Sequence, residues 1–236
     1  MNRFTFKKLG RVLVLAAVIV AMLVGTVSAQ QKGIFTDIRD GQKYKTVKIG
    51  TQTWMAENLN YKPTETSSRC NDCKKYGRLY TQYEAEKVCP NGWRLPDTAD
   101  WNMLTRTVGG KWTETPRGSY DFWEGAGKKL KAKNDWSWND DDNVTGNGTD
   151  NYGFSALPGG RTYRSSADEV GQTGTWWTTT KDSVGEAKMC TGGARAYSNL
   201  CHTLVYTRSM SYKHNNVDGS SINPNNDYSV RCIKTD

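Results

Sequence analysis

The amino-acid sequence predicts an α+β fold that is loop-rich and disulfide-stapled, with one or two early helices followed by antiparallel sheets. Three observations lead to this class. A helix-type stripe of apolar residues lies between residues 96 and 110. Short strand-like segments, separated by Gly, Asn and Ser, fill the second half. Six cysteines follow an export-type leader. We expect a single domain over residues 30–236, because no linker or internal repeat divides it.

The first 29 residues have the layout of a secretory signal peptide. An unbroken run of 13 apolar residues follows a basic start, and Val27-Ser28-Ala29 stands where cleavage is expected. Thirteen residues are too few to span a bilayer, which takes about 20. The basic residues of the leader are Arg3, Lys7, Lys8 and Arg11. We therefore predict export to the periplasm, the cell surface or the medium, with no transmembrane segment after cleavage.

The leader also accounts for half of the net charge of +8. The leader contains four of the 32 basic residues and none of the 24 acidic residues. The rest of the chain therefore carries a net charge of about +4. This charge is spread out and contains no block of Lys and Arg. We therefore expect no binding of nucleic acid.

The composition predicts a core built from aromatic rings. Residues 30–236 contain only 22 Leu, Ile and Val, while they contain 9 Trp and 12 Tyr. Each large ring can bury about 150–250 Å². Aromatic side chains can therefore replace the missing aliphatic ones.

The six cysteines favour structural disulfides over a metal or redox site. Disulfides are typical of exported chains and contribute about 2–4 kcal/mol each. Spacing alone leaves the pairing open. Cys70 and Cys73 are close enough for a local bridge, and Cys190 and Cys201 can close a loop around a Gly-rich stretch. A zinc site would need a second closely spaced pair, which the sequence lacks.

The first half predicts a β meander and two helices. Residues 35–60 are predicted to form strands that are connected by turns at Asp40-Gly41 and near Gly50. A surface loop over 61–75 leads to a predicted helix at 79–88.

The strongest helix signal covers residues 96–110. Asp97 is a suitable N-cap. Trp101, Leu104 and Val108 fall on one face, and Gly109 ends the pattern.

The second half predicts strands and one long loop. Helix signals end near residue 111, and residues 133–151 are dense in Asn, Asp and Gly. The strand candidates are GFSAL, RTYR, TWWTTT, HTLVYTR and YSVRCIK.

Six stretches of the chain form an ordered pattern between about Phe35 and Lys234. They are KTVKIGTQTWMAENLN, KYGRLYTQYEA, VCPNGWRLPDTADWNML, NYGFSALPGGR, TWWTTT and YSVRC. This pattern resembles the Fibrobacter succinogenes major paralogous domain, which recurs in exported bacterial proteins and has no well-established activity. The resemblance implies a C-type-lectin-like fold, shared with formylglycine-generating-type domains. It also implies a Cys89–Cys232 bridge between the first helical region and the last strand.

The acidic loop is a candidate calcium site. Carboxylate and amide oxygens on a flexible backbone are the ligands that Ca²⁺ takes. The candidate ligands are Asn139, Asp140, Asp141, Asp142, Asn143 and Asp150. An EF-hand register starting at Asp141 fails because Tyr152 occupies the position of the bidentate Glu. Trp138-Asn139-Asp140 matches the WND triplet of calcium-dependent lectins, without their preceding Pro-centred triplet. The alternative is a solvated acidic loop.

Aromatic side chains form a second candidate site, a platform for sugars. Flat saccharide faces stack on aromatic rings. The candidates are Trp136, Trp138, Tyr163, Trp176 and Trp177. The alternative is that these rings form the core.

Catalytic motifs are absent from the sequence. It contains no serine-hydrolase elbow, zinc-protease motif or phosphate loop, and His202 and His214 are its only histidines. We therefore expect a non-enzymatic, exported binding or adhesion module, with a polysaccharide or cell-surface glycan as ligand. A structural or protein-interaction domain is the alternative, and a formylglycine-generating-type enzyme is third.

Overall fold

The computed structural model describes most of the chain beyond the leader. The described ranges are 30–64, 68–114, 121–141, 144–163, 166–182, 188–191 and 200–235. The predicted signal peptide lies outside them. This part of the chain forms two larger sheets, three two-stranded sheets and four short helices. None of these four helices has the length and apolar character needed to cross a bilayer.

The strands and helices are numbered in chain order. The strands are β1 (Lys32–Thr36), β2 (Lys43–Ile49), β3 (Gln52–Met55), β4 (Leu79–Tyr80), β5 (Trp93–Arg94), β6 (Lys111–Glu114), β7 (Asp121–Glu124), β8 (Trp138–Asn139), β9 (Val144–Thr145), β10 (Arg161–Tyr163), β11 (Ser166–Asp168), β12 (Thr173–Lys181), β13 (Lys188–Thr191), β14 (Leu200–Thr203), β15 (Val205–Ser211), β16 (Val217–Ile222), β17 (Tyr228–Ser229) and β18 (Ile233–Lys234). The helices are α1 (Cys73–Tyr76), α2 (Gln82–Val88), α3 (Thr98–Thr107) and α4 (Ala126–Leu130).

The first sheet contains the predicted meander and the C-terminal strand. Its order is β1-β2-β3-β18-β5, and all its neighbours are antiparallel. The two predicted turns are present, with Gly41 and Gly50 at φ values of 75° and 61°, where a side chain would be strained. The pairing of β18 with β3 brings the end of the chain beside its beginning.

The second sheet is buried on both faces at its strand β12. Its order is β4-β17-β12-β15-β16-β7-β6, and its one parallel pair is β12–β17. Trp176 and Trp177 are neighbours on β12, so their side chains point to opposite faces. Trp176 packs into one core cluster and Trp177 into the other. The sheet is therefore the layer that separates the two halves of the core.

The two predicted helices are confirmed, with changed limits. Asp97 caps α3 and forms a capping box with Asp100, while Trp101, Leu104 and Val108 are buried as expected. The helix predicted at 79–88 begins only at Gln82, because Leu79 and Tyr80 pair with β17 instead.

Three details of the sequence prediction are wrong. Two further helices exist, α1 and α4, and α4 lies beyond residue 111, where no helix was expected. Helices of four or five residues are too short to show a periodic apolar stripe. Residues 153–157 form a single bridge at Ala156 rather than a strand, and the loop at 133–151 contains the β8–β9 hairpin.

Two disulfides are confirmed and a third remains a prediction. Cys70 bonds to Cys73, and Cys89 bonds to Cys232 across 143 residues. Closing so long a loop removes much conformational freedom from the unfolded chain. Cys190 and Cys201 are directly opposite each other in the β13–β14 pair, but their side chains lie outside the described part.

The aromatic core is confirmed. Seven of the nine tryptophans are buried, and only Trp112 and Trp138 are exposed. Trp54, Trp101, Phe154 and Trp176 form a connected group with ring centroids 5.2–5.8 Å apart. Aromatic contacts at this spacing add about 0.5–1.5 kcal/mol beyond the buried area.

A buried arginine joins the two sheets. Arg231 is fully buried, and its Nη2 donates to Asn58 Oδ1 at 2.7 Å. Its Nη1 donates to the Phe154 carbonyl, and its Cζ lies 4.4 Å from the Phe154 ring centroid. Asn58 Oδ1 also accepts from Trp176 Nε1 at 2.8 Å. Burial lowers the pKa of Arg231 to about 9.

We expect Asn58→Ala to destabilise the protein by about 3 kcal/mol. The change leaves the Arg231 guanidinium and the Trp176 indole N–H without their shared acceptor in a dry core. Urea denaturation followed by tryptophan fluorescence measures the loss. Asn151→Ala, which removes an exposed amide, is the matched control and should change stability by less than about 0.5 kcal/mol. Equal stabilities for the two variants would contradict the role of Asn58.

Candidate functional site

Three of the five predicted platform residues belong to the core. Trp136 is 4% exposed, and Trp176 and Trp177 are 0% exposed. Their indole N–H groups donate to Ala156 O, Asn58 Oδ1 and Tyr80 O. These rings present no face to a saccharide, because the core covers all three of them.

The structure leaves one predicted platform residue on the surface. Trp138 is 53% exposed and lies on the short β8–β9 pair. Trp136 and Trp138 therefore do not share one surface. The Tyr163 backbone ends β10, and its side chain lies outside the described part.

We call residues 138–145 the Trp138 hairpin. Trp138 pairs with Thr145, and Asn139 pairs with Val144. Thr145 and Val144 are exposed, as is Asp140 in the connection. One indole face and several oxygen atoms are thus presented together at the surface.

The two strands of the Trp138 hairpin are fixed to the segment that joins β15 and β16. Asn139 is 2% exposed, and its Nδ2 donates to Lys213 O at 3.3 Å. Gly146 follows the hairpin, and a Cβ there would lie 2.6 Å from Ser137 O and from Tyr212 Cβ. Only glycine allows this close approach. Both strands of the hairpin are consequently held against this segment.

A buried lysine supports the same region from beneath. Lys131 is 1% exposed, and its Nζ donates to Ser211 O at 2.9 Å and to His214 O at 3.0 Å. The Nζ also lies 5.0 Å from the centroid of the Trp136 ring. Burial, together with the charge of Lys128, lowers the pKa of Lys131 to about 8.

The predicted calcium ligands are only partly described. Asp142 and Asn143 lie outside the described residues. Asn139 Oδ1 accepts from the backbone N–H of Asp141 at 3.2 Å. Both carboxylate oxygens of Asp150 accept from Ser155, at 2.8 Å and 2.7 Å. Asp140 and Asp141 keep exposed carboxylates. Over the residues that the structure describes, no three acidic, His or Cys side chains converge as a metal site would require.

One of the two histidines is described, and it contacts an acid. His214 Nε2 lies 3.4 Å from Asp218 Oδ2. Burial raises the pKa of Asp218, and the nearby Asp121 carboxylate adds to this rise. His214 Nδ1 accepts from the Asn216 backbone N–H, so the pair orders the turn before β16. The His202 side chain lies outside the described part.

The sequence analysis missed a polar cleft beside the first sheet. Its volume is about 230 Å³, and it lies between the start of β2, the segment after β3, and α1. Gln42, Lys43, Asn58, Asn60 and Lys74 are among its lining residues. No local pattern predicts it, because these residues come from separate segments that only the fold brings together.

Comparison with known protein families found one match. The model of the Fibrobacter succinogenes major domain matches residues 47–234, well over half of the chain. Comparisons with curated proteins and with solved structures found no match.

We expect the free energy of unfolding to rise between pH 8 and 10 through Lys131. The folded protein releases the Lys131 proton near pH 8, whereas the unfolded chain keeps it up to about 10.5. The unfolded state then binds more protons, so stability increases with pH. Urea denaturation at several pH values measures the slope.

Lys131→Met should lower stability and remove the part of this rise that Lys131 causes, whereas the buried Arg231, with its pKa lowered to about 9, contributes the rest. Lys45→Met, which replaces a largely exposed lysine, should keep it. An unchanged slope in Lys131→Met would show that another group causes the rise.

Proposed function

We propose, from the premise that this chain belongs to the Fibrobacter succinogenes major domain family, that it is an exported binding or adhesion module for a polysaccharide or cell-surface glycan. The Trp138 hairpin is the contact surface in this proposal. The module acts at the cell surface or outside the cell, and it works by binding rather than by catalysis.

The observation that carries this proposal is the exposure of Trp138. The chain is short of aliphatic residues and places seven of its nine tryptophans in the core, yet it leaves Trp138 half exposed. An exposed ring next to polar groups is the arrangement that stacks on a sugar ring. The exposed Thr145, opposite Trp138, and the exposed Asp140 supply oxygens that can bond to sugar hydroxyls.

The attachment of the hairpin strands supports the same proposal. Asn139 and Gly146 hold the strands against the β15–β16 turn. A ligand therefore does not have to order these strands before it binds, which favours affinity.

Calcium is a further part of the proposal. The exposed carboxylates of Asp140 and Asp141 at the hairpin tip support it. Oxygen ligands on a short connecting loop suit Ca²⁺, which takes six to eight of them in flexible geometry. In this role Asp142 and Asn143 would be further ligands of the ion.

The disulfides and the terminal strand pairing support the proposed location and scaffold. Disulfides persist in oxidising compartments, so the Cys70–Cys73 and Cys89–Cys232 bonds favour an exported chain. The second of these bonds, together with the pairing of β18 and β3, supports a C-type-lectin-like scaffold as a proposal.

A protein-interaction module is the second candidate. Trp112 is 52% exposed on β6, the edge strand of the second sheet. Exposed edge strands can pair with a strand of a partner protein. This observation favours a protein ligand at that edge rather than a sugar at the hairpin.

We expect Trp138→Ala to reduce retention on the recognised polysaccharide by about tenfold, because the stacking face is removed. Trp112→Ala is the matched control, since the two rings are similarly exposed. Affinity electrophoresis and pull-down with a panel of soluble and insoluble polysaccharides measure retention. Equal retention of both variants and the unmodified protein would contradict the hairpin site. Failure of every glycan would favour the protein-interaction candidate.

We expect calcium to bind the EDTA-treated protein and to raise its Tm. Isothermal titration with CaCl₂ up to millimolar concentration measures the binding. Asp140→Asn combined with Asp141→Asn should abolish it, because neutral amides attract the ion less strongly. Glu124→Gln, an exposed acid on β7, is the control. No heat of binding in the unmodified protein would remove calcium from the proposal.

A further inference from the structure

We propose that the polar cleft beside the first sheet is a second binding site, and that it takes a single acidic sugar residue of the hexuronate class. We call it the Asn60 cleft. It shares no residue with the Trp138 hairpin, so it does not depend on the proposed function of that hairpin.

The Asn60 cleft is assembled from four separate segments. Gln42 precedes β2, and Lys43 and Tyr44 begin it, whereas Glu57, Asn58 and Asn60 come from the segment after β3. The other lining residues are Cys73, Lys74, Lys75 and Gly77 in and after α1, and Leu157. The Cys70–Cys73 disulfide fixes the chain where it enters that side.

Asn58 forms the floor of the cleft, and it is held rigidly because both the oxygen and the nitrogen of its side-chain amide form hydrogen bonds. Asn58 Oδ1 accepts from Arg231 and Trp176, as described above. Asn58 Nδ2 donates to Tyr76 O at 2.9 Å and to Ser229 Oγ at 3.4 Å. Gly77, at φ 76°, lies so close that a Cβ would be 2.8 Å from Leu59 O. The cleft cannot close by collapse of these groups, so its shape is preformed.

Asn60 provides an acceptor that lacks a donor. Its Nδ2 donates to Gln42 Oε1 at 3.1 Å, and its backbone N–H donates to Tyr44 Oη at 3.1 Å. These bonds hold the side chain in place. Its Oδ1 is buried and has no partner among the described residues. A buried acceptor without a donor costs about 1–3 kcal/mol. Asn60 is only partly buried, so a small shift of its side chain would open Oδ1 to a ligand hydroxyl in the cleft, which would supply the donor.

The rim of the cleft carries uncompensated positive charge. Lys75 is neutralised by Asp135 at 2.6 Å. Glu57, the acidic lining residue, accepts from the Lys45 backbone N–H at 2.7 Å and lies 3.6 Å from Lys45 Nζ. Within the described residues, Lys43 and Lys74 form no ion pair. Two free ammonium groups favour a carboxylate on the ligand.

The size of the cleft limits the ligand to one ring. Its volume of about 230 Å³ lies below the roughly 300–1,000 Å³ of sites for drug-sized molecules. Hydroxyl groups for Asn60 and a carboxylate for the lysines occur together in a hexuronate. Leu157 provides an apolar contact for the C–H face of the sugar ring.

The test is a titration of the protein, from residue 30 onward, with glucuronate and galacturonate. Glucose and acetate serve as comparison probes. Backbone amide NMR shifts and isothermal titration report binding. We expect at least one uronate to shift the amides of the cleft and to bind about tenfold more tightly than glucose or acetate. Equal binding of acetate would show attraction to charge alone, and equal binding of glucose would show that the lysines play no part. Either result, or no shift at tens of millimolar uronate, overturns the proposal.

Matched variants identify the groups. Lys43→Gln with Lys74→Gln should weaken uronate binding about tenfold. Both residues are exposed, so the fold should survive, and unaltered thermal unfolding verifies this. Lys48→Gln, an exposed lysine on the same strand outside the cleft, should bind as the unmodified protein does.

Two further variants complete the test. Asn60→Ala should weaken binding of uronate but not of acetate, because only the sugar supplies a hydroxyl donor. Trp138→Ala should leave uronate binding unchanged, which separates this site from the hairpin. Full uronate affinity in the double-lysine variant would contradict the assignment even if Asn60→Ala failed to fold.

Discussion

The hydrogen bonds of the Arg231 guanidinium are the constraint on which the arrangement of the two sheets depends. A charged group out of water is tolerated only when its donors are occupied. Here the acceptors are neutral: Asn58 Oδ1 and the carbonyls of Phe154 and Ser155. Asn58 follows β3 and Arg231 precedes β18, both in the first sheet. Trp176, which donates to the same Asn58 oxygen, belongs to β12 in the second sheet. One amide oxygen therefore fixes the distance between the two sheets, and the Cys89–Cys232 bond holds the residue that follows Arg231.

Buried cations and aromatic rings together replace the aliphatic core that this chain lacks. Lys131, Arg208 and Arg231 are each at most 2% exposed. Arg208 bonds to Asp121 and Asn102, whereas the other two lie near ring faces and bond to carbonyl or amide oxygens. Ring quadrupoles attract a cation, and carbonyl groups satisfy its N–H donors. Such a core tolerates little rearrangement, because each displaced oxygen would leave a buried charge without a partner.

This rigidity supports the two proposed recognition surfaces, which are built on irregular segments. The Trp138 hairpin is held by Asn139, and Lys131 supports the same region. The floor of the Asn60 cleft is the same Asn58 amide that joins the sheets. Both proposed surfaces are thus attached to the core hydrogen-bond network. Loops on a rigid scaffold are where binding residues are commonly found.

Local chemistry in the sequence determined the elements of this protein, and long-range packing decided its surfaces. The capped helix at Asp97, the meander turns and the aromatic core follow from neighbouring residues or composition, so they could be predicted, as could the close Cys70–Cys73 bridge. The family pattern added the Cys89–Cys232 bond. Which tryptophans are exposed could not be predicted, because Trp136 and Trp138 differ only in what packs against them. The Asn60 cleft was equally hidden, since its residues are up to 115 positions apart in the chain and only the packing of separate segments brings them together.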